Sequence, residues 1–187
     1  MYTNDESIQE LIKYADSGKI QLPDFQRGWV WDDERIKALI SSITQNFPVG
    51  AAMFLKYGNK NIRFKYHGIE GAVLEEDTIP EALILDGQQR LTSIYQALFC
   101  KKPVLTKTVK GQSIKRFYYI DIEKAINPSE DMLEAIISVP ENKMRTENFG
   151  KDIKLDVSTE EKEFEKKLFP LNKILDFVET QTWQNKY

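Results

Sequence analysis

The sequence predicts an α+β protein, a mixed sheet with flanking helices followed by a partly helical C-terminal extension. Three observations carry this expectation. Apolar residues recur at helical spacing in 7–17 and 32–46; short strand-like apolar runs occur at 20–22, 49–57, 62–66, 82–85 and 116–122; and the run 82–85 leads through Asp86-Gly87 straight into a helical pattern.

In residues 7–17 (SIQELIKYADS), Ile8, Leu11, Ile12 and Ala15 share one helical face, and Gly18 follows as a stop. Ile20-Gln21-Leu22 reads as a short strand closed by Pro23, and 23–31 (PDFQRGWVW) as an aromatic-rich loop. Asp32 or Asp33 can cap the next helix, whose stripe of Ile36, Leu39, Ile40 and Ile43 ends at Asn46-Phe47-Pro48. Val49–Tyr57 and Ile62–Tyr66 are strand-like and separated by Gly58-Asn59-Lys60, which predicts a hairpin. Residues 68–80 are acidic and irregular.

Ala82–Leu85 (ALIL) is a continuous apolar run of the kind buried in a sheet, and after Asp86-Gly87 the residues Leu91, Ile94, Tyr95 and Leu98 define a helix. Arg116–Ile122 is a further strand, and Ile136–Val139 another strand-like piece. The charged run 159–167 is expected to be a solvated helix face, and Leu171–Tyr187 a helix with no stop signal, as if the natural protein continued. This divides the chain into a domain at 7–125 and a helical extension at 126–187.

Composition narrows the chemistry. Apolar residues at 41% and charged residues at 29% are ordinary for a globular protein. No run approaches the roughly 18 apolar residues of a membrane span, and the N-terminus is unlike a signal peptide, so a cytoplasmic protein is expected. With Cys100 and His67 the only residues of their kinds, neither a disulfide nor a Cys/His zinc site can be assembled. Cys100 is expected to be a buried small side chain, and His67 an exposed or half-buried residue at a strand end, without catalytic duty. A net charge of −3 argues against duplex DNA as the main ligand, since DNA-binding domains usually carry a basic excess.

Two segments carry chemistry. The first is Asp86-Gly87-Gln88-Gln89-Arg90-Leu91-Thr92-Ser93. A strand that ends in a glycine turn and opens a helix presents backbone N–H groups and the positive end of the helix dipole, which attract phosphate. Gly87 lets the backbone come close, and Arg90 in the first turn could clamp phosphate oxygens while Thr92 or Ser93 donates a hydroxyl. Asp86 could hold Mg²⁺ through water, and the amides of Gln88 and Gln89 could orient a phosphate or a water. The alternative is an ordinary strand, turn and helix; no Gly-x-x-x-x-Gly-Lys-Ser/Thr phosphate loop occurs. The second is Leu22–Trp31, where Phe25, Trp29 and Trp31 surround Gln26 and Arg27. Either the aromatics anchor the loop to the core and the polar pair points into a cleft, or Arg27 only stacks on a tryptophan.

The pairing of PDFQRGWVW with the Ile-x-x-Leu-Ile-x-Ser-Ile helix ending in Asn46-Phe47-Pro48-Val49-Gly50, and with LILDGQQRLTS, strongly resembles the N-terminal domain of the GmrSD type IV restriction enzymes and related phage-defence proteins. The resemblance is clear over 7–99 and faint beyond about 125. It implies a fold like the nucleotide-binding domain of ParB and sulfiredoxin, and a DGQQR segment that binds and hydrolyses a nucleoside triphosphate (GTP, UTP or ATP) with Mg²⁺. Asp86, Gly87, Gln88, Gln89 and Arg90 match the family motif without departure. Gln26 and Arg27 match its earlier Phe-Gln-Arg motif, with Gly28 where proline or another residue is common. The domain would regulate or power a separate nuclease domain or subunit, reaching DNA only through the full protein, with a homo-oligomer left open. Two other readings compete: a non-catalytic sensor of nucleotide or modified DNA, and a ParB-like nuclease.

Overall fold

The computed structural model describes residues 6–58, 64–127 and 129–187. In chain order the elements are α1 (Ile8–Asp16), β1 (Ile20–Pro23), α2 (Asp33–Thr44), β2 (Met53–Lys56), β3 (Tyr66–His67), β4 (Ala82–Asp86), α3 (Gln88–Leu98), β5 (Val104–Lys107) and β6 (Ser113–Asp121). There follow α4 (Ile122–Ile126), α5 (Met132–Ala135), β7 (Ile136–Pro140), β8 (Met144–Glu147), β9 (Asp152–Asp156), α6 (Glu160–Glu165), β10 (Leu168–Pro170) and α7 (Phe177–Lys186). The fold is α+β, as the sequence predicts.

The chain divides into two compact units, one of residues up to Trp29 together with Gly50–Tyr95, the other of Val30–Val49 together with Gln96–Tyr187. The boundaries differ from the division expected at residue 125, because α2, β5 and β6 belong with the C-terminal residues. The stretch 126–187 also contains four strands, β7 to β10, besides its helices.

The first unit has a four-stranded sheet of order β2-β4-β1-β3. At its centre β1 and β4 run parallel, with Ile20 opposite Ala82 and Gln21 opposite Leu83, while β2 and β3 pair antiparallel outside them. Leu22, Leu83 and Ile84 are fully buried, as continuous apolar strands at the middle of a sheet should be. The hairpin expected between 49–57 and 62–66 does not form: β2 pairs with β4 and β3 with β1, at opposite edges of the sheet. A glycine turn between two apolar runs favours a hairpin locally, but the buried run β4 supplies β2 with a better partner. Residues 59–63 of that segment lie outside the described residues. Helix α1 begins with a capping box in which the Ser7 hydroxyl accepts from the Glu10 N–H at 3.1 Å and the Glu10 carboxylate turns back to Ser7. It ends at Gly18, whose φ of +74° suits a residue without Cβ.

In the second unit β6 pairs antiparallel with β5, β7 and β10, and β8 with β9. Asp32, rather than Asp33, caps α2 by accepting from the Arg35 N–H at 2.9 Å. Asp33 instead accepts from the Tyr118 hydroxyl at 2.9 Å and the Ser138 hydroxyl at 2.7 Å. Burial beside that carboxylate pushes the Tyr118 hydroxyl well above the usual phenol range. The charged run 159–167 forms α6, but not as a wholly solvated face. Glu163 is 3% exposed and accepts from the Tyr119 hydroxyl and the Trp183 indole, each at 3.1 Å, with Lys143 Nζ at 3.6 Å. Charge patterning along a helix cannot reveal such donors, because they arrive from β6 and α7, 44 and 20 residues away.

Candidate phosphate-binding turn

Parallel β1 and β4 end side by side, so the chain leaving each enters the same edge of the sheet, where ligands of α/β sheets characteristically bind. From β1 comes the loop holding Gln26 and Arg27; from β4 comes Asp86-Gly87 and then α3. Both segments singled out in the sequence therefore meet at this edge.

They are joined by side-chain amides. Gln26 Nε2 donates to the carbonyl oxygens of Ile84 at 3.0 Å and Leu85 at 2.8 Å, the last residues of β4 before Asp86. In return Gln88 Nε2 donates to the Arg27 carbonyl at 2.8 Å, and Gln89 Nε2 to the Gly28 carbonyl at 3.2 Å. Residues 26 to 28 thus run along the turn that opens α3. Gln88 is buried and both amide nitrogens face the loop, so the two glutamines hold the edges of the site together. Trp29 closes the loop: its N–H donates to Glu70 Oε1 at 2.6 Å and its indole to the Ser93 hydroxyl at 2.9 Å.

Gly87 has a φ of +89°, and a Cβ there would lie 3.1 Å from that of Ala52. Standing just before the helix, it also has no side chain with which to cap the first turn. Arg90 reaches back from that turn. Its Nη2 donates to the Ala51 carbonyl at 2.7 Å and lies 3.5 Å from Asp86 Oδ2, with side-chain exposures of 25% for Arg90 and 73% for Asp86. The guanidinium rests against Gly50, which has a φ of +91°. Arg27 is exposed, and among the described residues no ion pair, hydrogen bond or aromatic ring holds its guanidinium.

Asp86, Gly87, Arg90 and Arg27 therefore border one edge, Gln26, Gln88 and Gln89 brace it, and Thr92 and Ser93 lie inside. Both of these are fully buried, and the Ser93 hydroxyl donates to the Gln89 carbonyl at 2.7 Å while accepting from Trp29. Of the loop aromatics, Trp29 anchors the loop through its two hydrogen bonds, whereas Phe25 is 59% exposed and packs edge-to-face on Phe64 at 5.0 Å. His67 is exposed, with Nδ1 2.8 Å from the Gly68 carbonyl, and Cys100 is half-buried.

Gly50, Ala51, Ala52 and Glu70 belong to this site although sequence reasoning passed over them. Gly50 lay within the family motif; Ala51, Ala52 and Glu70 carry no local signal. Among the described residues no three His, Cys, Asp or Glu side chains gather as a metal cage. Asp86 is one exposed carboxylate, which suits a Mg²⁺ carried mainly by phosphates and water and not a metal held by protein alone. No helix among the described residues is long and apolar enough to cross a membrane.

The chain is 31% identical over 171 residues to an uncharacterized protein of Methanocaldococcus jannaschii, an alignment covering 89% of this chain and 28% of the relative. The chain thus spans little more than a quarter of the length of that curated relative. A family model described as the N-terminal domain of the GmrSD restriction endonuclease matches residues 8–186, nearly the whole chain, and the chain belongs to that family.

Proposed function

We propose that this chain is the nucleotide-binding and hydrolysing part of a GmrSD-like restriction protein acting in phage defence, and that hydrolysis switches or powers a nuclease domain or subunit outside it. The observation that supports the reading best is the parallel pair β1 and β4, whose outgoing loops are locked together by Gln26, Gln88 and Gln89. A triphosphate at that edge meets the start of α3, the glycine backbone at residue 87 and the guanidinium of Arg27. Arg90 lines the same turn and adds a second positive charge. A Mg²⁺ held through water by Asp86 would supply neutralisation of the phosphate charge. Asp86 would orient the hydrated metal, and the three glutamines are positioning residues that fix the distance between Arg27 and the turn.

Melting curves with and without EDTA test the reading. ATP, GTP or UTP should raise the melting temperature with Mg²⁺ and lose the effect in EDTA, because a ligand stabilises the folded state only as far as it binds. Equal shifts in both conditions would remove the metal, and no shift with any nucleotide would remove the nucleotide. Incubated with supercoiled plasmid, the chain should leave it intact; nicking abolished by Asp86→Ala would favour a nuclease instead.

A further inference from the structure

Charge is segregated along the chain although its net value is only −3. From Gly68 to Gln89 there is no lysine or arginine, and from Gly87 to Ile120 no aspartate or glutamate. Each half of this separation is presented on a closed turn. In the first unit Leu74 lies against Gly18 and Gly68, and the Thr78 carbonyl accepts from the buried Gln21 amide at 2.8 Å. The Thr78 N–H donates to the Glu75 carbonyl at 3.1 Å. The turn so pinned holds Glu75, Glu76 and Asp77 in solvent, between Val73 at 88% exposed and Ile79 at 70%.

In the second unit β5 and β6 form a hairpin, closed by the Thr108 N–H on the Gln112 carbonyl at 2.9 Å and the Gly111 N–H on the Thr108 carbonyl at 2.8 Å. Leu105 and Lys107 share the outward face of β5, while Val109 and Lys110 stand at the tip; Leu105 is 61% exposed and Val109 78%. Among the described residues no ion pair or hydrogen bond holds the side chains of Glu75, Glu76, Asp77, Lys107 or Lys110. Each surface is thus a rigid turn bearing unpaired charge of one sign, flanked by two aliphatic side chains in water.

We propose that the acidic turn of one copy docks on the β5–β6 hairpin of a second copy of this chain. Unlike charges then face each other, and Val73 and Ile79 leave water together with Leu105 and Val109. The aliphatic flanks decide against nucleic acid, whose phosphates would match the lysines but not the leucine and valine beside them. A chain of net negative charge also repels a polyanion more than it repels its own copy. Nothing in this contact depends on the nucleotide site.

Sedimentation of the chain over a range of concentrations tests it. Wild type should exceed the mass of one chain at low ionic strength and return to it in about 1 M salt, where the Debye length shrinks to about 3 Å. Lys107→Glu/Lys110→Glu and Glu75→Lys/Glu76→Lys should each sediment as single chains, with melting temperatures near that of wild type because every substituted side chain is exposed. Mixed in equal amounts the two variants should associate again, since the native turn of one meets the native hairpin of the other and the reversed turn meets the reversed hairpin. Leu105→Ser, which leaves every charge in place, should weaken the association of wild type. Association that survives either charge reversal, or a mixture of the variants that stays monomeric, overturns the proposal. So does a wild type monomeric at every concentration at low salt; a labelled oligonucleotide bound by wild type and lost in Lys107→Glu/Lys110→Glu would then give the hairpin to nucleic acid.

Discussion

The guanidinium of Arg90 occupies the space that a side chain on Gly50 would need: a Cβ built on Gly50 would stand 1.9 Å from Arg90 Nη1. The segment at 50–52 and the first turn of α3 are therefore fitted to each other, with Arg90 Nη2 on the Ala51 carbonyl and Ala52 against Gly87.

Gly50→Ala should consequently do more than strain the backbone. Its φ of +91° alone predicts a loss of about 1–3 kcal/mol. Gly58→Ala is the control, since Gly58 has a φ of +97° but no described residue within 4 Å of its added Cβ. Denaturant unfolding of both variants should show the larger loss at Gly50, and phosphate release should fall only there, because Arg90 is pushed aside with its charge intact.

Arg90→Lys keeps the charge but cannot both hold the Ala51 carbonyl and lie flat beside Gly50. Turnover in Arg90→Lys should fall nearly as far as in Arg90→Ala, by about 10²-fold. Both variants should also melt somewhat earlier than wild type, since the residue pins 50–52 as well as facing the site. A lysine variant with full turnover would reduce Arg90 to a brace.

Gln26→Leu keeps most of the side-chain volume and removes the donor shared by the Ile84 and Leu85 carbonyls. The expected cost is about 1–3 kcal/mol. Gln26→Glu should be worse at neutral pH, because a carboxylate would face two carbonyl oxygens, and should partly recover as acid protonates it. Unfolding midpoints of the two variants at pH 7 and pH 5 check both statements.

How much of this site could be read from residues alone follows from what each depends on. Asp86-Gly87 and α3 were legible because a buried run, a glycine and a helical stripe are local signals. The contacts of Gln26 were not, for they reach 58 and 59 residues along the chain and exist only because β1 lies parallel to β4. Thr92 and Ser93 illustrate a further limit: that both are fully buried depends on how α3 packs, which their place in the motif does not reveal. The expected hairpin failed for a similar reason, since the pairing of β2 with β4 is decided by the whole sheet.

In the second unit Asp156 is held down to about 2, chiefly by the Lys162 ammonium donating at 2.6 Å and by the hydroxyl and N–H of Ser158. The unfolded carboxyl titrates near 4. The lowered value means that its contribution to stability is present above about pH 4 and is lost as pH falls toward 2. Asp156→Asn should flatten the fall in melting temperature across that window while lowering it at pH 7, as thermal melts at a series of pH values would show.

The central claim is hydrolysis at the edge shared by β1 and β4, and Arg27 tests it most directly because its guanidinium is exposed and held by no described residue. Phosphate release from ATP, GTP and UTP with Mg²⁺ should be measured for wild type and Arg27→Ala beside their melting temperatures. Turnover by wild type, a fall of about 10²-fold or more in Arg27→Ala and an unchanged melting temperature are the predicted result. Absence of phosphate release from wild type with every nucleotide, or undiminished release from Arg27→Ala, would contradict it.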